Sequence, residues 1–529
     1  MSAQANAQQA MPRSAAGASP VAATQYGQVR GVTAENGVHI FKGIPYGAPT
    51  SGAGRFRRAG KPMPWSGVRD ATAYPPSCPQ PAGAVAPLFR SWASNEPMGE
   101  DCLGLNIWTP AVNDGGKRPV MVWFHGGDFS SNSGSRSVFD GTRMARNGDI
   151  VLVTLNHRLN LFGFLYLGEL APELADSGMV GMLDLVDALT WVRDNIAAFG
   201  GDPGNVTIFG QSGGGGKVST MMAMPEGAGL FHRAIVQSGS YARNAHLEAM
   251  TPETGTKHAR SLLAALGLDK SDANKLIDMP ADALVAGMVK ALQSDSKPTF
   301  RPIADGRSLP AGPWWPKAPA VSANVPLMIG TTTTEMSMLM GSSRPALFDI
   351  GEADLRKRLG YTFASDKVDE IIAFFRNKSP EATPGRLLFD IVTANVFRRG
   401  AWTQADLKAG QNAAPVWLYE VGWNTPVDGG KWGSPHSVEH PFVFDNVARS
   451  ESMVGNGPDA QPMVGQIQPA WLAFARSGNP NHAGIPEWKP YQPETRTTML
   501  FDLPSKAIDG FRDDERKLLD GQPTAGPMD

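Results

Sequence analysis

Ser212 lies in the run Phe209-Gly210-Gln211-Ser212-Gly213-Gly214, directly after the apolar stretch 206–209. A serine with glycines two residues before and two after can occupy a sharp strand-to-helix turn. That turn holds the hydroxyl clear of the backbone, where it can attack a carbonyl carbon. Side chains at Gly210 and Gly214 would crowd so tight a turn. Gly-x-Ser-x-Gly also arises by chance in plain glycine-rich turns, so its partners decide the reading. A serine hydroxyl is a poor nucleophile at neutral pH and needs a base within hydrogen-bond reach, usually histidine. A carboxylate must orient that base, and N–H donors must meet the oxyanion that forms.

Two other chemistries compete for the same stretches. Gly213 to Gly216 followed by Lys217 looks faintly like a phosphate-cradling loop, but Gln211 and Val218 stand where that motif needs glycine and Ser or Thr. His436-Ser437-Val438-Glu439-His440 spells a zinc-hydrolase pattern, which needs both histidines on one helical face. Gly433 and Pro435 precede it and Pro441 follows, and a proline disfavours helical geometry at the residue before it, so no helix is expected there.

The elements that would position these groups are short apolar runs, each ending in glycine or a polar residue. The run 119–124 leads into His125-Gly126-Gly127, 149–154 into Asn156-His157-Arg158, and 206–209 into Ser212. The run 234–236 leads into Gln237-Ser238-Gly239, 325–329 into Gly330 and then Glu335, and 416–421 into the loop holding His436. Short, continuously apolar, β-branched runs suit strands buried on both faces. Helical patterns lie between several of them. Leu183, Val186, Leu189, Trp191 and Val192 fit one apolar face, with Asp184 and Asp187 expected off it. Alternating strands and helices give a mostly parallel sheet whose binding crevice lies beyond the carboxyl ends of the strands. From residue 251 to about 411 the chain is richer in helix. Thr251-Pro252 suits a helix start and Gly267 a stop, and Val368, Ile371, Ile372 and Phe375 form an apolar stripe expected to pack on the sheet.

These residues resemble the type-B carboxylesterases, relatives of the cholinesterases and of bacterial para-nitrobenzyl esterases within the α/β-hydrolase fold. The resemblance rests on 199–212, on Glu100-Asp101-Cys102-Leu103-Gly104-Leu105-Asn106-Ile107-Trp108, on Phe41-Lys42-Gly43-Ile44-Pro45-Tyr46 and on 474–481, and spans roughly 25–505. It implies a catalytic triad of Ser212, Glu335 and His436, with His436 preferred to its neighbour His440. It also implies an oxyanion hole from the N–H groups of Gly126, Gly127 and Gly213, and a hydrogen bond from Ser238 to Glu335. Without the resemblance, a solvated loop residue is the stronger reading of Glu335. Four positions depart from the pattern: Gly104 replaces an aromatic residue, Gln211 a Glu, Gly213 an Ala and His157 a Tyr. The loss of charge at Gln211 weakens any expectation of cationic substrates.

The implied activity is ester hydrolysis through an acyl-enzyme, with a small-molecule ester and water as partners and no cofactor or metal. Amide, carbamate or lactone hydrolysis by the same machinery is the alternative, and a non-catalytic adhesion module a more distant one. Cys78 and Cys102, the chain's two cysteines, read by count alone as either buried thiols or a disulfide. The resemblance pairs them, which would favour a secreted or periplasmic setting over a cytoplasmic one. Charged residues are 19% and hydrophobic residues 42% of 529, with a formal net charge of -2. That balance gives no nucleic-acid footprint. No apolar run reaches the roughly eighteen residues of a membrane span. The expected organisation is a flexible tail over 1–24, lacking the apolar centre of a secretory signal, then one large α/β-hydrolase domain over 25–529. That domain carries a helix-rich insertion at about 245–411 that caps the site. The acyl and alcohol pockets are not defined by sequence; Trp432 and 314–325 are candidate walls.

Overall fold

Apolar runs with no polar alternation must be buried on both faces, and the strands they form build one 11-stranded sheet. The computed structural model describes residues 19–83, 85–241, 249–295 and 297–524. From edge to edge the sheet runs Lys506–Ile508, Thr498–Phe501, Val416–Val421, Leu327–Thr332, Arg233–Gln237, Gly201–Gln211, Arg118–Phe124, Val151–Leu155, Gly104–Thr109, His39–Pro45 and Val32–Thr33. Pairing is parallel from Val151–Leu155 through to Thr498–Phe501 and antiparallel beyond it at both edges. The period-two pleat divides each central strand between two cores. Val120, Val122 and Phe124 enter one, Met121 and Trp123 the other.

After Arg118–Phe124 the chain steps to one side, to Val151–Leu155, and then returns to the other side as Gly201–Gln211. This reversal opens a crevice at the carboxyl ends of the strands. Register brings the chemistry to that rim: Phe124 pairs with Gly210, Gln211 with Gln237, and Gln237 with Gly330. The residues that follow them, His125 onward, Ser212, Ser238 and Thr331 onward, leave the sheet together.

Several expectations change. The tail expected over 1–24 overlaps a strand, since Val21–Thr24 pairs with Gly27–Arg30; residues 1–18 lie outside the described part. Within the helix-rich span 245–411, the apolar run at 325–329 does form a strand, Leu327–Thr332, which returns to the middle of the sheet. Asp184, expected on the solvent side of helix Val180–Asn195, is fully buried, because Arg158 meets its carboxylate at 2.6 Å and the Arg158 N–H donates to it at 3.0 Å. Periodicity detects the apolar stripe but not a partner 26 residues away. Thr251 does cap helix Pro252–Ala265, accepting the Thr254 N–H at 3.2 Å. The stripe on helix Ser365–Lys378 is buried, but against helices rather than the sheet. It packs with Glu352–Leu359 and Pro384–Thr393 in a separate apolar cluster. Met336 and Met340 join that cluster from helix Glu335–Gly341, so it anchors on the helix that carries the candidate acid. Among the described residues no helix is long and apolar enough to cross a membrane.

Candidate active site

Ser212 follows strand Gly201–Gln211 directly and leads without a loop into helix Gly213–Met221. Its backbone sits at φ 58°, ψ -128°, a conformation that costs a non-glycine residue about 1–3 kcal/mol. Two hydrogen bonds hold it there. The Ser212 N–H donates to Gln237 O at 2.8 Å, and Ser212 O accepts from Gly216 N at 2.9 Å. The flanking glycines are required by contact. A Cβ on Gly210 would lie 2.6 Å from the carbonyl of Gly214, and one on Gly214 only 2.0 Å from Phe124 O.

His436 and Glu335 come together from loops after neighbouring strands. Imidazole Nδ1 donates to Glu335 Oε2 at 2.5 Å. The other carboxylate oxygen accepts from Ser238 Oγ at 2.6 Å and from the Thr332 N–H at 2.8 Å. Glu335 is fully buried and His436 is 2% exposed. The two loops are stitched by Thr334 N to Ser434 O at 3.0 Å and by Ser337 Oγ to Trp432 O at 2.6 Å. With Nδ1 donating, Nε2 is an acceptor. It takes a hydrogen bond from Gln211 Nε2 at 3.1 Å, and no hydrogen bond joins it to Ser212 Oγ in this geometry. Ser212, Gln211 and His436 line one cavity of about 410 Å³. Catalytic hydrogen bonds of this kind commonly tighten only when substrate binds. The pattern His436 to His440 does not form one helix: only His440 enters one, His440–Val443, with Pro441 in its first turn. His440 opens that helix despite Pro441, because a first-turn proline gives up only an N–H that has no helical acceptor.

The loop after Phe124 packs on the serine turn. A Cβ on Gly126 would meet Gln211 O at 2.9 Å, and Gly127 has φ 89°. Among the described residues the N–H groups of Gly126, Gly127 and Gly213 have no backbone acceptor. His125 lies beneath the loop, its Nδ1 2.8 Å from Gly126 O and its ring stacked on His157. Burial, then the Lys217 charge, holds both imidazoles well below the usual range, so they stay neutral. Lys217, whose place in the glycine run suggested no role in ester chemistry, is fully buried and donates to His125 O at 3.0 Å. Burial brings its pKa down to about 7, against a smaller opposing pull from Asp128.

With this geometry, the comparisons with known proteins are decisive. The sequence pattern of the Carboxylesterase family matches residues 18–518. The chain belongs to that family. It is 35% identical over 491 residues to the para-nitrobenzyl esterase of Bacillus subtilis (strain 168), covering 91% of this chain and 94% of that protein. It is 33% identical over 499 residues to the phenmedipham hydrolase of Pseudarthrobacter oxydans, with 91% and 94% covered. The crystal structure of the Geobacillus stearothermophilus carboxylesterase EST55 at pH 6.2 superposes with a TM-score of 0.80 at 36% identity, covering 94% of this chain and 99% of that one. The protein is thus a carboxylesterase with the α/β-hydrolase fold.

The esterase's cavity wall is where sequence reasoning went furthest astray. Trp432 lines a different hollow, and Trp314 is fully buried with its indole N–H donating to Ser219 O at 2.8 Å. The wall beside Ser212 is instead Phe89, Trp92, Arg136, Phe139, Met338, Leu339 and His440. The expected Cys78–Cys102 bridge is absent; both are buried free thiols. The hydrogen bond to Cys78, and then burial, raises the Cys102 thiol well above its usual pKa. Cys78 Sγ also accepts the Leu159 N–H at 3.2 Å, so the contact is satisfied without a covalent link. A second buried carboxyl, Glu439, was not anticipated. Burial, then the charge of Glu335, pushes it up to about 7, and its Oε1 takes a 3.3 Å hydrogen bond from Gln237 Nε2.

Two outcomes are expected. A Cβ on Gly213 would lie 2.2 Å from Asp128 O, so Gly213→Ala must displace the 125–128 loop. Its kcat should fall about a hundredfold with circular dichroism unchanged, the effect of a lost oxyanion donor; a parental kcat would show the loop tolerates the methyl. Glu439 is held above its unfolded pKa. Its contribution to stability is therefore full below about 4.3 and is lost as pH rises through about 7. Urea unfolding at pH 5.5 and 8.5 should show Glu439→Gln losing less stability over that interval than the parent, by on the order of 2 kcal/mol.

Proposed function

We propose that the esterase cleaves carboxylic esters in two half-reactions at Ser212. His436 Nε2 takes the Ser212 proton as Oγ attacks the ester carbonyl, and the carbonyl oxygen becomes an oxyanion. The N–H groups of Gly126, Gly127 and Gly213 stabilise that oxyanion. The imidazolium then gives its proton to the leaving alcohol, and the acyl group remains on Oγ. Water attacks the acyl carbon while His436 takes its proton. The tetrahedral intermediate collapses, the acid leaves and Oγ is reprotonated. Glu335 stays ionised throughout. It fixes the tautomer with Nδ1 protonated and offsets the positive charge that the ring acquires.

The observation that carries this reading is the line of hydrogen bonds from Ser238 through Glu335 to His436, which ends in the cavity lined by Ser212. Gln211 has a consistent part in it. Its amide donates to Nε2, so it keeps that nitrogen an acceptor and the ring turned toward the cavity. Attack requires Ser212 Oγ to take over or share this nitrogen, which a rotation of the hydroxyl or a small shift of the amide provides.

Ser212→Ala should lower kcat for small aryl esters by about 10⁶-fold, to the residue left by oxyanion donors and binding alone. A rate screen over aryl, alkyl, carbamate and amide substrates, with this variant as control, is the test. Hydrolysis of activated esters by the variant at the parental rate would refute the assignment.

A further inference from the structure

The fold buries arginine with a carboxylate at hand. Arg55 meets Glu100 at 2.6 Å, Arg158 meets Asp184 at 2.6 Å and Arg398 meets Glu515 at 2.6 Å. Arg136 breaks this pattern. It is partly buried on the wall of the Ser212 cavity, yet among the described residues its guanidinium has no ion pair and no hydrogen bond. Its guanidinium lies over an aromatic face, with the Phe89 ring centroid at 5.7 Å. Burial alone brings its pKa down to about 10, with no carboxylate acting against that shift. The cavity's own acid, Asp128, acts on Lys217.

The surroundings leave the guanidinium's edge for something other than protein. Its charge is felt at His125 under the oxyanion loop and at His440 on the histidine loop, so it lies where both loops face the cavity. His440 is neutral, since burial and then the charges of His436 and Arg136 hold its pKa well down, and among the described residues neither ring nitrogen has a hydrogen-bond partner. Gln211, beside the nucleophile, carries no charge. A desolvated guanidinium stacked on one face presents a planar fork of donors that matches a carboxylate. Without an anion, its desolvation is uncompensated.

We propose that Arg136 is a specificity-determining residue that binds a carboxylate on the substrate, so that the preferred esters carry a free acid in addition to the scissile bond. This rests on Ser212 acting as the nucleophile. The half-ester of a dicarboxylic acid, with its free carboxylate against Arg136 and its ester carbonyl at Ser212, is the substrate class that meets both requirements. Its hydrolysis adds water across the ester, releasing an alcohol and a dicarboxylate. The same chemistry could enter on the alcohol side, and matched substrates separate the two.

The test compares kcat/KM for monomethyl adipate against its neutral monoamide ester, and for 4-carboxyphenyl butanoate against 4-carbamoylphenyl butanoate. Wild type should favour the anionic member of at least one pair. Arg136→Gln should lower that ratio at least tenfold, chiefly through KM, as expected for loss of a hydrogen bond to a charged group. Arg136→Lys should restore part of it. Titration with a neutral organophosphate gives the functional fraction of each protein. A wild-type ratio at or below one in both pairs overturns the proposal without any variant, as does an unchanged ratio in Arg136→Gln. Failure of wild type to hydrolyse the neutral esters as well would refute the esterase reading instead.

Discussion

The structure depends on one close approach of backbone to backbone. Three strands end side by side, and the turn at Ser212 fits only because Gly210 and Gly214 touch each other and the carbonyl of Phe124. The same absence of side chains lets the 125–128 loop rest on the turn, with Gly213 against Asp128 and Gly126 against Gln211. The strained serine and the free N–H groups are thus parts of a single contact. Neither can move without the other, which is the rigidity that preorganised donors require.

Around that contact the protein manages buried charge by three means. Glu335 has both of its oxygens occupied by donors, three in all. Glu439 nearby is fully buried with a weak side-chain donor, Gln237, and a carboxylate for a neighbour, so it holds its proton into the neutral range. Lys217 and the neutral pair His125 and His157 support the 125–128 loop from below, with the ammonium held by a carbonyl rather than a carboxylate. The protonation of Glu439, Lys217 and the two histidines thus follows from burial and from what each can hydrogen-bond.

The chemistry was legible in the sequence where it follows a strand directly. Ser212, Ser238, Gly126 and Gly127 each lie within three residues of an apolar run, and parallel register then brings them to one rim. Glu335 and His436 stand further from their strands, and only the likeness to a family singled them out from other loop residues. What was not legible depends on pairs distant in sequence. Asp184 looked solvent-facing because periodicity cannot see Arg158. The stripe on Ser365–Lys378 was recognisable as buried, but its partner was not, since a stripe carries no information about what covers it. The cavity wall drew on Phe89, Arg136, Leu339 and His440, four separate loops and helices with no shared pattern. Cys78 and Cys102 did come together, yet as thiols in hydrogen-bonded contact.

The central claim is that the hydroxyl of the strained turn becomes covalently acylated. Acid-quenching the esterase during turnover of 4-nitrophenyl acetate, followed by peptide mapping by mass spectrometry, tests this directly. The account predicts an acetyl group on the peptide containing Ser212, localised to that residue and transient on the timescale of turnover. Product release with no acetylated peptide, or with the acetyl group on a different side chain, would contradict it.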